Sequence, residues 1–131
     1  MELRKKEFTY RGKTIEELKK LDVREFAKYL TSRQRRFALR QFQRIEEFTN
    51  RAKTKIAKNK AIRTHSRDII ITPAMVGMKI YVYNGQKFMP IEVVGEMLGH
   101  KLGEFSPTRA RIKHGKAGVG ATKGTRSKSK K

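Results

Sequence analysis

Lys79-Ile80-Tyr81-Val82-Tyr83-Asn84-Gly85-Gln86-Lys87-Phe88-Met89-Pro90-Ile91-Glu92-Val93 reads as two strands around a turn. β-Branched and aromatic residues fill the first arm, and Tyr81 and Tyr83 fall on the opposite face from Val82, as alternate strand residues do. Asn-Gly between two such arms is the strongest short-range hairpin signal, because both residues accept the positive φ of a type I′ turn. Pro90 has no N–H for a ladder, which makes the second arm an edge strand or a bulged one. Upstream, Asp68-Ile69-Ile70-Ile71-Thr72 is another β-branched run, closed by Pro73, and reads as a further strand. A short helix around Glu96 to Leu98, stopped by Gly99, closes the sheet.

Before this centre the pattern is helical. Thr14 with Glu17, and Asp22 with Glu25, have the capping-box spacing, in which an N-cap oxygen and a third-residue carboxylate satisfy each other's backbone groups. Two short helices follow, with apolar positions Ile15 and Leu18, then Val23, Phe26, Ala27 and Leu30. A longer helix starts at Thr31 or Ser32 and runs toward Lys60, its far end weakened by Asn50, Thr54 and Asn59 and fraying into a linker. At about 100° per residue, Arg33, Arg36, Arg40, Arg44, Arg51, Lys55 and Lys58 form one stripe, and Ala38, Phe42, Ile45, Ala52 and Ile56 another. The pattern predicts an α+β fold: a small, mainly antiparallel sheet with packed helices, a basic helical extension over residues 1–63, a core over 64–110 and a basic flexible tail over 111–131.

Charge locates the function. The chain has 131 residues and a net charge of +21. Residues 1–63 hold 20 Lys and Arg against 8 Asp and Glu, residues 64–105 hold 4 of each, and residues 106–131 hold 9 against none. This exceeds by far the charge of about 2–8 that keeps a small domain dispersed, so a polyanion is the expected partner. Nucleic acid leads, because Lys and Arg on phosphates release condensed counterions. A solvated basic face is the bland alternative for the helical stripe, but carboxylates are scarce at i+4; only Glu46 and Glu47 interrupt the series.

Other classes fare poorly. No run approaches the roughly 18 apolar residues that span a bilayer, no apolar segment opens the chain as a signal peptide, and Trp is absent. A soluble cytoplasmic protein is expected, with no membrane partner. Without cysteine there is no disulfide, thiolate metal site or Cys nucleophile. His65, His100 and His114 are scattered among basic residues, and neither Asp22 nor Asp68 pairs with a nucleophile, so no enzyme, metal or cofactor is expected. The segment from Gly115 onward has only Val119 as a sizeable apolar group, too little to offset backbone ordering. Its Gly115 to Gly120 spacing mimics a phosphate-binding loop, but Ala121 stands where Lys is required, and Gly118-Val119-Gly120 begins a dinucleotide fingerprint that Lys123 breaks.

Three spaced blocks then carry a resemblance. Asp68-Ile69-Ile70-Ile71-Thr72-Pro73-Ala74-Met75-Val76-Gly77, Val82-Tyr83-Asn84-Gly85, and Met97-Leu98-Gly99-His100-Lys101-Leu102-Gly103-Glu104-Phe105 with Thr108-Arg109 are similar to the small-subunit ribosomal protein nineteen family, over roughly residues 60–115. Phe8-Thr9-Tyr10-Arg11-Gly12, Ser32-Arg33-Gln34-Arg35-Arg36 and the tail from Lys113 to Thr122 resemble its archaeal and eukaryotic branch, the archaeal side in particular. The resemblance implies a structural protein of the small-subunit head, bound to ribosomal RNA beside the S-thirteen family protein, with a tail reaching toward tRNA in the decoding region. It implies RNA contacts at Arg63, His65, Ser66 and Arg67, at Asn84, Gly85 and Lys87, at His100, Lys101, Thr108 and Arg109, and in the tail at Arg111, Lys113, His114 and Lys116. Arg33, Arg36, Arg40 and Arg44 join them from the helical stripe.

Several of these residues have a second reading. Gly85 serves equally well as a turn residue, Glu104 ties its block to the core by capping or ion pairing, and Tyr81 and Tyr83 suit sheet packing better than base stacking. Composition alone fits a free-standing chromatin or RNA-chaperone module as well as a ribosomal component.

Overall fold

The computed structural model describes residues 7–118 and 120–126. In chain order it contains β1 (Thr9–Tyr10), β2 (Lys13–Thr14), α1 (Ile15–Lys19), α2 (Val23–Phe26), α3 (Ser32–Arg40), α4 (Phe42–Ala57), β3 (Ile62–Thr64), β4 (Lys79–Tyr83), β5 (Phe88–Glu92) and α5 (Lys123–Arg126). Single 3-10 turns occupy Ala27–Tyr29, Pro73–Met75, Gly95–Met97 and Leu102–Phe105. The fold is α+β. Residues 1–6, Val119 and 127–131, which the expected extension and tail include, lie outside the described residues.

The hairpin predicted over 79–93 forms. β4 and β5 are antiparallel in the register Lys79↔Glu92, Ile80↔Ile91, Tyr81↔Pro90, Val82↔Met89 and Tyr83↔Phe88. Ile80, Val82 and Ile91 are buried, and Pro90 sits exposed on an edge strand, where no ladder N–H is needed. The turn differs from the expected type I′. Of the pair only Gly85 takes a positive φ, +100°, and the loop spans four residues. Asn84 accepts at Oδ1 from the N–H groups of Gln86 (3.0 Å) and Lys87 (2.9 Å), so its side chain supplies the turn that two left-handed residues would otherwise make. A two-residue turn with both φ values positive does occur at Arg11 (51°) and Gly12 (79°), between β1 and β2. Arg in that position gives no sequence signal for it.

The Ile69-Ile70-Ile71 run is not a strand of the main sheet. It makes one antiparallel bridge, Ile70↔Lys101, flanked by Ile71 N–H to the His100 carbonyl (2.8 Å) and Leu102 N–H to the Ile69 carbonyl (3.0 Å). All three isoleucines are fully buried, which is why the run lacks alternation. The place beside β4 belongs instead to β3, paired in parallel as Ile62↔Ile80 and Thr64↔Val82. The three-stranded sheet, ordered β3-β4-β5, is therefore mixed, and the boundary expected at residue 63 falls within β3.

Both predicted N-caps are present, but only the second is the expected reciprocal box. Thr14 Oγ1 accepts from the Glu17 N–H, and Asp22 and Glu25 form a complete capping box. The single long helix expected from Thr31 is two helices, broken at Gln41, whose backbone (φ −113°, ψ 21°) leaves the helical range. No Pro or Gly marks the break. Its flanking rings are held from elsewhere: the Arg24 guanidinium lies 3.8 Å over Phe42, and Lys101 Nζ lies 5.2 Å from the Phe37 centroid. The far end of α4 does not fray. Asn59 adopts φ 52°, its N–H bonds the Ile56 carbonyl (2.9 Å), and Lys60 N–H bonds Lys55 (2.8 Å), a Schellman closure. Ile56, assigned to the packing stripe, is 46% exposed on the last turn, beyond the core.

One apolar cluster joins these parts. Leu18, Phe26, Leu30, Ile45, Phe48 and Ala52 of the helical half pack with Ile62, Ile69 to Ile71, Met75, Ile80, Val82 and Leu102. Each large side chain so buried contributes about 1.5–3 kcal/mol. Ser106 closes the cluster, fully buried and donating to the Val82 carbonyl at 3.2 Å. From Pro107 to Gly118 every residue is exposed.

Candidate nucleic-acid interface

The cationic stripe of the first half is split by the break at Gln41 into two clefts. Arg33, Arg36 and Arg40 of α3 meet Lys101, from the Gly99 to Gly103 segment, around the Phe37 ring, in a cavity of about 300 Å³ also lined by Gln34 and Gln41. Lys101 is brought there by the bridge that seats Ile70 against it. None of the four cations has a carboxylate within 4.0 Å among the described residues. Such a cleft offers phosphate oxygens unpaired donors and a base or sugar an aromatic wall.

The second cleft lies between α4 and β3. Arg51, Lys55 and Arg63 line it with Arg44 and Ser66, over a floor that includes Phe48, Ala52 and Ile62, and it encloses about 110 Å³. Arg44 is committed internally: its two terminal nitrogens donate to Asp68 at 2.7 and 3.1 Å and to Ser66 Oγ at 3.2 Å. That bidentate pair fixes the segment that precedes the isoleucine run.

At the hairpin end of the sheet three rings meet. The His65 centroid is 4.7 Å from Tyr83 and 5.1 Å from Phe88, and Tyr83 is 5.2 Å from Phe88, while the Arg63 guanidinium lies 5.6 Å over Phe88. Tyr83 thus packs within the sheet surface, and its hydroxyl donates to the Gly85 carbonyl at 3.0 Å. Asn84 spends its side-chain oxygen on the turn, leaving Lys87 exposed at the tip. Arg67 faces inward, donating to the carbonyls of Tyr83 (2.7 Å), Gly103 (2.7 Å) and Ser106 (2.6 Å).

His100 is half exposed and its Nδ1 lies 2.8 Å from Glu104 Oε2, a contact between two residues of the same block rather than the expected tie from that block to the core. Thr108, Arg109, Arg111, Lys113, His114 and Lys116 are exposed along the tail. Among the described residues no three His, Cys, Asp or Glu side chains converge on a common metal position. No helix among the described residues is long and apolar enough to cross a membrane.

Residue-by-residue reading of the sequence missed the apolar partners. Phe37 and Phe88 carry cations over their rings, yet in sequence each is one more core aromatic; the interval between Arg33, Phe37 and Arg40 on one helix was the available signal. Arg35 likewise serves the fold, donating to the carbonyls of Ala27, Lys28 and Leu30 where the 3-10 turn ends.

Cations without a carboxylate partner among the described residues, gathered around aromatic rings on an α+β core and continued by an acid-free tail, form a surface suited to a polyanion. The family model of ribosomal protein S19 matches residues 31–114. The chain belongs to the ribosomal protein S19 family, and is accordingly a structural rather than enzymatic component of the small ribosomal subunit that binds ribosomal RNA. The matched span starts at the N-cap of α3 and so takes in both basic clefts and the aromatic cluster.

Proposed function

We propose that this protein sits in the head of the small subunit, in contact with head-domain ribosomal RNA and beside the S-thirteen family protein, and that its tail extends toward tRNA in the decoding region. The observation that carries the reading is the convergence of Arg33, Arg36 and Arg40 with Lys101 around Phe37, four cations without a carboxylate partner among the described residues. Arg63, His65 and Lys87 form a second contact zone at the hairpin, with Asn84 and Gly85 shaping its tip. His100, Thr108 and Arg109 extend the interface toward the tail, where Arg111, Lys113, His114 and Lys116 follow the RNA backbone. Arg44, Ser66 and Arg67 hold these surfaces in place through internal bonds. The N-terminal hairpin residues and the tail favour the archaeal and eukaryotic branch, the archaeal side in particular.

The test is a titration against a head-domain RNA fragment and against an unrelated folded RNA of equal length, each across a salt series. Preference for the head fragment that persists in added salt is the expected result. Equal affinities that collapse together with salt would reduce the protein to a general polycation and remove the placement.

A further inference from the structure

The face of the three-stranded sheet turned away from the apolar cluster carries rings and cations. Strand register places Arg63, Tyr81 and Pro90 across it at one level and Tyr83 and Phe88 at the next, whereas Ile62, Ile80, Val82 and Ile91 join the cluster on the other side. His65 follows two residues after Arg63. Arg63, His65 and Pro90 are exposed, and Tyr81, Tyr83 and Phe88 are half-buried. Glu92, the one carboxylate of these strands, stands at the far end of the face, 4.0 Å from Lys79. Neither Arg63 nor Lys87 has a carboxylate within 4.0 Å among the described residues.

At the hairpin end the rings hold one another in place. The exposed His65 ring packs against Tyr83 and Phe88, its plane inclined to theirs by 53° and 75°. Tyr83 is pinned by the bond from its hydroxyl to the Gly85 carbonyl, and the Arg63 guanidinium stays beside the rings through its contact with Phe88. An imidazole backed in this way has already given up rotamer freedom on folding, so a flat group can lie on it at little further entropic cost.

We propose that this ring cluster is a stacking platform for an unpaired nucleotide of ribosomal RNA, its base lying on the His65 imidazole and its flanking phosphates on Arg63 and Lys87. Paired RNA is the wrong ligand for the rings, because a double helix keeps its base faces inside its own stack. A nucleotide fits better than a protein segment, because it brings a flat π-face and anionic charge together, matching rings rimmed by cations that have no acid of their own. The inference rests on the hairpin contact zone proposed above and adds that the RNA there is single-stranded.

The chain contains no Trp, so Phe88→Trp in the full-length protein gives the cluster its own fluorescent reporter. A short oligouridylate is expected to quench that emission, and a blunt RNA duplex of equal phosphate content to leave it unquenched. In the reporter protein, His65→Ala should move the oligouridylate midpoint about tenfold higher, as for the loss of one stacked base, with its salt dependence unchanged because stacking releases no counterion. His65→Tyr should restore the midpoint, and Arg63→Gln should instead lower the slope of log K against log salt by about 0.7. Equal quenching by the duplex would make this a phosphate site, and no quenching by either RNA would leave the face to a protein neighbour. Matching midpoints for His65→Ala and His65→Tyr would show that the imidazole stacks nothing; each of these three results overturns the proposal. None of them touches the preference for head-domain RNA, which is measured separately, so failure here is distinguishable from failure of the placement in the head.

Discussion

Arg67 and Gly103 hold each other twice: the Gly103 N–H donates to the Arg67 carbonyl at 2.8 Å, and the Arg67 guanidinium donates back to the Gly103 carbonyl at 2.7 Å. The two segments lie so close that a Cβ on Gly103 would stand 2.8 Å from Arg67 Cβ and 2.9 Å from its carbonyl oxygen. This clasp joins the start of the isoleucine run to the block carrying Lys101, and so sets one wall of the first basic cleft. Gly103→Ala is expected to cost about 1–3 kcal/mol through overpacking, and Arg67→Met about 2 kcal/mol or more by removing a guanidinium donor from each of three carbonyls, of which that of Gly103 keeps only the long bond from the Ser106 N–H. Urea denaturation reads both; an unchanged midpoint in either would show that the clasp is dispensable.

Arg36→Glu with Arg40→Glu tests the α3 cleft. Both residues are exposed and have no carboxylate partner among the described residues, so the folded state should keep its Tm within about 2 °C, as for ordinary surface changes. Affinity for head-domain RNA should fall, with the slope of log K against log salt reduced by at least about 2. Unchanged affinity at both low and high salt would mean that this face is merely solvated.

Arg44 and Asp68 form a two-bond pair whose side chains are 41% and 44% exposed. Solvent screening limits such a pair, and a double-mutant cycle with Arg44→Met and Asp68→Asn should return a coupling of about 0.5–1 kcal/mol, at the upper end for exposed pairs because of its bidentate geometry. A coupling indistinguishable from zero would make Arg44 available to RNA instead.

The Glu46 carboxyl is raised above its usual pKa, chiefly by desolvation, then through the hydrogen bond and charge of Asp22, with Arg24 acting in the opposite sense. The folded protein therefore binds this proton more tightly than the unfolded chain. Its favourable contribution is present below the unfolded carboxylate value and is lost as pH rises through the folded one. Glu46→Gln should raise Tm near neutrality by about 1–2 °C, with the difference vanishing at acid pH, where the native carboxyl is also neutral. Thermal melts across pH check the sign, and a variant less stable at neutral pH would contradict it.

Removing residues 115–131 should leave cooperative unfolding intact with Tm within about 2 °C, because residues 115–118 are exposed and lie beyond the apolar cluster. On the proposed placement, the truncated protein still enters subunits but engages tRNA in the decoding region less well. Loss of a cooperative transition would show that the tail supports the core.

Local rules made part of this protein legible in its sequence. Thr14, Asp22 and Pro90 act through their own backbone neighbours, so both helix starts and the edge strand followed directly from residue type. The type I′ turn failed at Asn84 because an Asn side chain competes with the left-handed backbone, and sequence alone leaves both outcomes open. The supposed strand over Asp68 to Thr72 was recognised as apolar and extended, but its partner was not: a run buried on every side carries no face to say which neighbour it pairs with. The break at Gln41 has no local signal and depends on what holds Phe37 and Phe42.

By itself, then, the sequence determined the α+β class, the neutral centre between cationic arms and the polyanionic partner, because composition and short-range periodicity are properties of the chain. Tertiary structure alone decided which charges are free. Arg36 and Arg44 lie on one stripe in the sequence, yet Asp68, 24 positions beyond Arg44, occupies that guanidinium, while Arg36 meets Lys101 around a ring and no acid among the described residues. Pairing of charges depends on distances between segments far apart in the chain, and those distances exist only once the apolar cluster has drawn the segments together.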